Sequence, residues 1–173
     1  MTLDNPYKTV GKFGRELLEE TAIEEGLPKI ASYTKSIIGA DRCSVFVYDD
    51  KERILWTTLA DGVDRIVIPS DRGIIGRTIA TKKGIVENDP YSNPHFDRSV
   101  DEETGYKTRN ILTAPIFDSA GRILSAIQLL NKDDGDFDSS DSDFLRFFTY
   151  FISGYLELLI VHACEENYFG ENC

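Results

Sequence analysis

The periodicity of this 173-residue chain predicts an α+β domain built on an antiparallel sheet. Three features carry that expectation: helical spacing of apolar residues at both ends, strand runs joined by short polar turns, and one long polar insertion. In order, the elements read helix, three strands, helix, lid, two strands, helix. Turns this short join antiparallel neighbours, whereas a parallel crossover needs a dozen residues or more.

Residues 5–25 are weakly periodic, with Leu17, Leu18 and Ile23 on one stripe and Gly26 as a stop. Pro28 suits a first helical position, and Ile30, Tyr33, Ile37 and Ile38 recur at helical spacing up to Gly39. The period then changes to two. C-S-V-F-V-Y (43–48), a D-D-K-E turn and I-L-W-T-T-L (54–59) read as a hairpin, followed by a strand at 65–68. In P-S-D-R-G-I-I-G-R-T-I-A, Ser70 or Asp71 is the expected N-cap of a short helix starting near Gly73, with Ile74, Ile75 and Ile79 as its buried face. Residues 85–87 suit a brief edge strand. Residues 88–110, with Pro90 and Pro94, are too long for an ordinary connection; such a stretch either forms a binding lid or carries short helices of its own. Strands from 111 and 123 are linked by D-S-A-G-R, and a long helix runs from about Ser140 to Ala163. No repeat or linker splits the chain.

Thirty acidic against 19 basic residues give a formal net charge of -11, which opposes binding to polymeric nucleic acid or an anionic membrane. One small anion held by backbone amides remains compatible with that charge. Cys43, Cys164 and Cys173 form no CxxC pair, and the expectation is reduced thiols in a cytoplasmic protein with no structural metal. The N-terminus lacks the pattern of a secretion signal. The apolar stretch 144–163 is long enough to span a bilayer, but Arg146 and Glu157 would each cost about 2.5 to 3.5 kcal/mol mid-membrane, so it reads as a packing helix.

His95 and His162 each lack an adjacent nucleophile, so no catalytic constellation is visible. The acidic run 133–143 fails the calcium-loop spacing and reads as a solvated turn entering a helix cap. G-I-I-G at 73–76 lacks the G-K-[ST] ending of a P-loop, though glycines at a helix start let amides approach an anion; a tight turn explains Gly73 equally well. If a helix runs through T-G-Y-K-T, then Asp101, Thr104 and Thr108 share a face. One carboxylate and two hydroxyls suit the hydroxyls, amines and ring nitrogens of a ligand, while helix capping accounts for the same residues equally.

The succession S-V-F, I-P-S-D-R-G-I-I-G, N-D-P-Y-S-N-P-H-F-D, V-D-E-E-T-G-Y-K-T-R-N-I-L-T-A-P-I and N-K closely resembles the GAF domains of cyclic nucleotide phosphodiesterases and bacterial adenylyl cyclases. The match runs from about Pro28 to Ile160, and the T-G-Y-K-T-R-N-I-L block is specific to the nucleotide-binding branch. The resemblance implies a GAF fold over 28–163, between a helical extension (1–27) and a tail or linker (164–173). Its sheet would have six antiparallel strands, with a ligand under a lid on one face and the terminal helices on the other.

By that resemblance Ser44 contacts the base, Ile74 and Asp97 offer backbone N–H groups to a cyclic phosphate, and Asp101, Thr104 and Thr108 reach the ligand from the lid. Gln128 faces the pocket from the last strand. Leu59 and Ala60 stand where the family often has a stacking aromatic and a base-reading acid, which favours cAMP slightly over cGMP. Lys132 and Asp141 match the family's structural ion pair, although Ser142 replaces its final glutamate. Lys107 and Arg109 would alternate with the threonines and point away from the ligand.

The expectation is therefore a regulatory domain without catalysis, binding a cyclic nucleotide and signalling through its terminal helices to an effector domain. One stripe of the last helix (Leu145, Phe148, Ile152, Tyr155, Leu159) would cover the sheet. The other (Phe144, Phe147, Phe151, Leu158) would pair with a second copy as a homodimer. The alternative is a GAF domain that only dimerises. A sulfoxide reductase on this fold would need a resolving thiol beside Cys43.

Overall fold

The computed structural model describes residues 6–58 and 65–165. Helices α1 (Pro6–Leu17) and α2 (Ile23–Ile38) lead into strands β1 (Ala40–Asp49), β2 (Ile54–Thr58) and β3 (Arg65–Pro69). Helix α3 (Gly73–Thr81), strand β4 (Ile85–Glu87) and helix α4 (Ser99–Thr104) follow, then β5 (Ile111–Phe117), β6 (Ile123–Lys132) and α5 (Ser139–Glu165). The six strands form one antiparallel sheet in the order β3-β2-β1-β6-β5-β4.

Alternation divides the side chains between two faces. Val45, Val47, Leu112, Ile127 and Leu129 pack against α2 and α5 in the larger core. Phe46, Leu55 and Ala126 point the other way and meet Ile75 and Ile79 of α3. The second face carries the lid.

Several local expectations change in the tertiary context. Helix α2 begins at Ile23, five residues before Pro28, which lies inside it. Ile23 and Leu27 are buried there, and Glu24 and Glu25 suit the positive end of the helix dipole. Gly26 is therefore no stop: a Cβ there would stand 2.7 Å from Leu159 Cδ1 and 2.8 Å from the Tyr155 hydroxyl, so it marks the close crossing of α2 and α5. Leu18 falls outside the core and is exposed, whereas Leu17 is buried. Neither Ser70 nor Asp71 caps α3; its N-cap is Arg72, with no side-chain hydrogen bond. Gly76 sits so near the preceding turn that a Cβ would lie 2.6 Å from the Asp71 carbonyl carbon.

The inner stripe of α5 consists of Leu145, Phe148, Ile152, Leu156, Leu159 and Ala163. Leu156 takes the inward place expected of Tyr155, which lies half-buried with its hydroxyl donating to the Glu20 carbonyl at 3.0 Å. Burial, helped by Glu20 and Glu25, pushes Tyr155 up to about 12. Cys43 is a free thiol on the sheet face toward α2 and α5, its pKa raised by burial. Cys164 is disulfide-bonded, which corrects the expectation of three reduced thiols.

The acidic run ahead of α5 forms a helix cap. The Asp138 carboxylate accepts from the Ser140 and Asp141 amides at 2.8 and 3.0 Å, and the Asp141 carboxylate accepts from the Asp138 amide at 3.0 Å. This is the reciprocal arrangement of a capping box. Asp141 also takes the Lys132 ammonium, tying the end of β6 to the start of α5.

Asp141→Ala leaves that cation largely buried without its partner and is expected to lose about 3 kcal/mol in denaturant unfolding, with an unchanged slope. Hydrogen bonds from the Ser140 hydroxyl and the Asp141 amide hold the Asp138 carboxyl below its usual pKa. Its contribution is thus present above the ordinary aspartate range and lost as pH falls through the lowered value; an Asp138→Asn variant should flatten that acid limb. Gly76→Ala meets backbone rather than a movable side chain, and a loss of about 1 to 3 kcal/mol is expected from its melting curve.

Candidate functional site

A cavity of about 280 Å³ lies between the sheet, the start of α3 and the lid. Arg42, Ile111, Gln128 and Leu130 form its floor, Gly73 to Ile75 one wall, and Phe96, Asp97, Asp101, Tyr106 and Thr108 much of its cover. Antiparallel register builds the floor: Arg42 pairs with Leu130, which pairs with Ile111, while Ser44 pairs with Gln128, which pairs with Thr113. Directly opposed residues share a face, so these six side chains belong to the lid side.

The lid is closed by hydrogen bonds of its own. Helix α4 ends at Gly105, whose φ of 73° reverses the chain. The returning irregular segment then brings Thr108 back to Asp101. The Asp101 carboxylate accepts from the Thr108 amide at 2.7 Å, the Thr108 hydroxyl at 2.9 Å and the Tyr91 hydroxyl at 2.7 Å. This buried carboxylate is a latch between the two ends of the lid. Its hydrogen bond raises the Tyr91 pKa, with burial adding to the effect.

A second link runs from α3 to the lid: the Arg72 guanidinium meets the Asp97 carboxylate at 2.8 Å. Burial pushes the Asp97 pKa up, but the Ser99 amide and hydroxyl together with Arg72 outweigh it and hold the carboxyl below its ordinary value. Gly73, at φ 68°, lies against Asp97, with 3.7 Å between its ideal Cβ position and the Asp97 Cβ. The Ile74 and Ile75 amides, in the first turn of α3, find no backbone acceptor among the described residues. Both residues are buried at the wall of the cavity.

The structure gathers Ile74, Asp97, Asp101, Thr108 and Gln128 around this cavity. Ser44 shares the face of Gln128 but lies beyond the lining. Thr104 is exposed, and its hydroxyl donates to the Val100 carbonyl at 2.6 Å. The expected helix through Thr108 does not form, because Gly105 ends α4; Thr104 and Thr108 therefore share no helical face. Leu59 and Ala60 lie outside the described residues. Lys107 and Arg109 are both exposed and neither lines the cavity; the Arg109 guanidinium donates to the Lys132 carbonyl at 3.3 Å.

Sequence reasoning missed Arg42, Arg72, Tyr91 and Tyr106. The Arg42 guanidinium lies 3.7 Å from the centre of the Tyr106 ring, and the Tyr106 hydroxyl donates to Asp41 at 2.7 Å. Arg42 could have been found from the period-two pattern, two residues before Ser44; Tyr91 could not, because its partner Asp101 lies ten residues away on α4, with no periodic pattern joining them. Among the described residues no cluster of metal-ligating groups occurs. Cys43 opens onto the opposite face of the sheet from the cavity.

Comparison with known proteins places this geometry. The GAF domain family model matches residues 22–156. A probable 3',5'-cyclic phosphodiesterase of Caenorhabditis elegans is 28% identical over 149 residues, covering 78% of this chain and 20% of the relative. A cGMP-specific 3',5'-cyclic phosphodiesterase of Drosophila pseudoobscura pseudoobscura is 37% identical over 102 residues, covering 54% of this chain and 9% of the relative. The chain thus spans a fifth or less of these relatives. The GAF domain of a phosphoenolpyruvate-protein phosphotransferase from Coxiella burnetii superposes with a TM-score of 0.77 at 18% identity, covering 98% of this chain and all of that one. The matched region, the six-stranded antiparallel sheet and the helices on either side of it agree: this chain belongs to the GAF domain family.

Proposed function

We propose that this is a regulatory domain that binds a cyclic mononucleotide beneath the lid and performs no chemistry on it. The observation that carries the reading is the start of α3, where two buried first-turn amides without a backbone acceptor border the cavity. Such donors, at the positive end of a helix dipole, suit a single cyclic phosphate in an acidic protein. Gln128 and Thr108 supply polar groups for base and ribose, and Arg42 adds a planar donor held by stacking on Tyr106. The two curated relatives are cyclic phosphodiesterases by name, which supports the ligand class. Between nucleotides, the reading puts cAMP ahead of cGMP, since positions 59 and 60 lack an aromatic ring and an acid.

Lid and helices are joined mechanically. The lid returns into β5, and α5 is tied to the adjacent β6 through Lys132 and Asp141. Lid closure would bias the position of α5 and, through it, an effector domain in a longer chain. Phe147, Leu158 and Val161 on α5 are exposed and form an apolar stripe suited to a second copy, whereas Phe144, expected on that stripe, is half-buried against the larger core and the Phe151 ring lies against Gly14 of α1. The second reading, a GAF domain that dimerises without nucleotide, is favoured by one observation: at about 280 Å³ the cavity lies just below the common range for ligand pockets.

Melting curves separate the two. A nucleotide at 100 times its Kd is expected to add about 2.7 kcal/mol of stability, and the absence of a shift with both cAMP and cGMP would leave only the dimerisation reading. Thr108→Ala removes one bond of the lid latch and is expected to weaken nucleotide binding about tenfold by calorimetry. Leu158→Asp places a charge in the outward stripe; sedimentation should show dimers for the parent chain and monomers for the variant, with nucleotide binding retained.

A further inference from the structure

A second, larger cavity of about 700 Å³ lies away from the lid, between α5 and strand β5. Its origin is a mismatch of strand lengths. Strand β4 covers only Ile111 to Thr113 of the seven-residue β5. Beyond that point, Ala114 to Phe117 have no strand beside them on that edge among the described residues. Gly84 brings the end of α3 against this edge, since a Cβ there would stand 2.9 Å from the Thr113 carbonyl oxygen. Lys82 and Lys83 are thereby fixed at the rim, opposite Arg146 and Tyr150 of α5.

The charges of this groove do not balance. Its two carboxylates are already engaged, Asp118 with Arg122 at 2.8 Å and Asp143 with Arg146 at 3.0 Å. Lys82 and Lys83 make no ion pair among the described residues. Lys82 also holds a left-handed conformation, φ 57° and ψ 30°, at the C-cap of α3, where glycine is the favoured residue. A strained residue carrying an unmatched charge beside an open groove points to function.

We propose that this groove docks an acidic, extended segment of a partner protein, whose carboxylates meet Lys82 and Lys83. Pro115 has no N–H to donate, so the occupant does not continue the sheet as a full strand. It is held by the two lysines at one end and the Tyr150 ring at the rim, 77% exposed; the Ser119 and Ser153 hydroxyls along the walls already donate to the Glu157 carboxylate and the Tyr150 carbonyl. The chain's net charge of -11 repels acidic peptides elsewhere, so local attraction here is selective.

The test titrates the intact, isotopically labelled chain with acetylated hexaglutamate and, separately, hexaglutamine, following backbone amide signals. Saturable shifts confined to residues 82–84, 117–121 and 146–153 are expected with hexaglutamate only. Lys82→Gly combined with Lys83→Gln should weaken binding about tenfold while leaving the cyclic-nucleotide melting shift unchanged. Lys82→Gly alone should raise the melting temperature by relieving the left-handed lysine, which separates lost docking from lost folding. The proposal is overturned by no saturation, by shifts centred on Arg42 and Arg72 instead, or by a double variant that binds like the parent. A double variant that changes only the monomer–dimer equilibrium would assign the groove to a second copy and overturn it equally.

Discussion

Two carboxamides hold the functional half of this domain in place. Asn131, at the end of β6, accepts from the Arg109 amide at 2.6 Å and donates to the Lys107 carbonyl and the Tyr106 hydroxyl, both at 2.9 Å. Asn110 reciprocates, accepting from the Lys132 amide at 2.8 Å and donating to the Gly135 carbonyl at 3.1 Å. Both side chains are buried, where an unpaired amide would cost about 1 to 3 kcal/mol, so the bonds must form together. Asn131 reaches its partners from a left-handed backbone, φ 56°, a conformation asparagine tolerates better than most residues. Without this clasp the return of the lid would have no register, and Thr108 would not meet Asp101.

From that clasp the order propagates in two directions. Toward the cavity it delivers Thr108 to the Asp101 carboxylate and Tyr106 to the guanidinium of Arg42, which define part of its lining. Toward the helix side it hands the chain from Asn131 to Lys132, whose ammonium meets Asp141 in the first turn of α5. The same two adjacent residues therefore hold the lid and α5. Asn131, which holds the 106–110 segment, is thus a single peptide unit away from the residue that anchors α5.

Helix α5 divides its surface among three tasks. One stripe, from Leu145 to Ala163, is buried and fixes the helix on the sheet. A second, apolar stripe faces outward. A third is polar: Arg146 and Ser153 line the groove beside β5, and the Glu157 carboxylate accepts from the Ser119 amide and hydroxyl at 2.9 and 2.7 Å. The two charges that argued against a membrane span thus have local positions, one at the groove and one anchoring the β5–β6 hairpin. By length and composition α5 would still pass as a bilayer helix; its burial against the sheet is a tertiary fact.

The sequence by itself determined the order of elements, the hairpins, the lid and the family, because these depend on local periodicity, turn chemistry and contiguous motifs. It also brought Lys132 and Asp141 to notice, nine residues apart across one turn. Only the tertiary structure decided the role of Gly26, which local propensity reads as a stop and packing against α5 turns into a crossing point. It decided likewise that Leu156 rather than Tyr155 faces inward, that Thr104 leaves the site, and that Asp101 latches Tyr91 to Thr108. Each of these depends on contacts between distant or irregular segments, where hydrogen-bond satisfaction and volume outweigh local preference and leave no periodic trace in the chain.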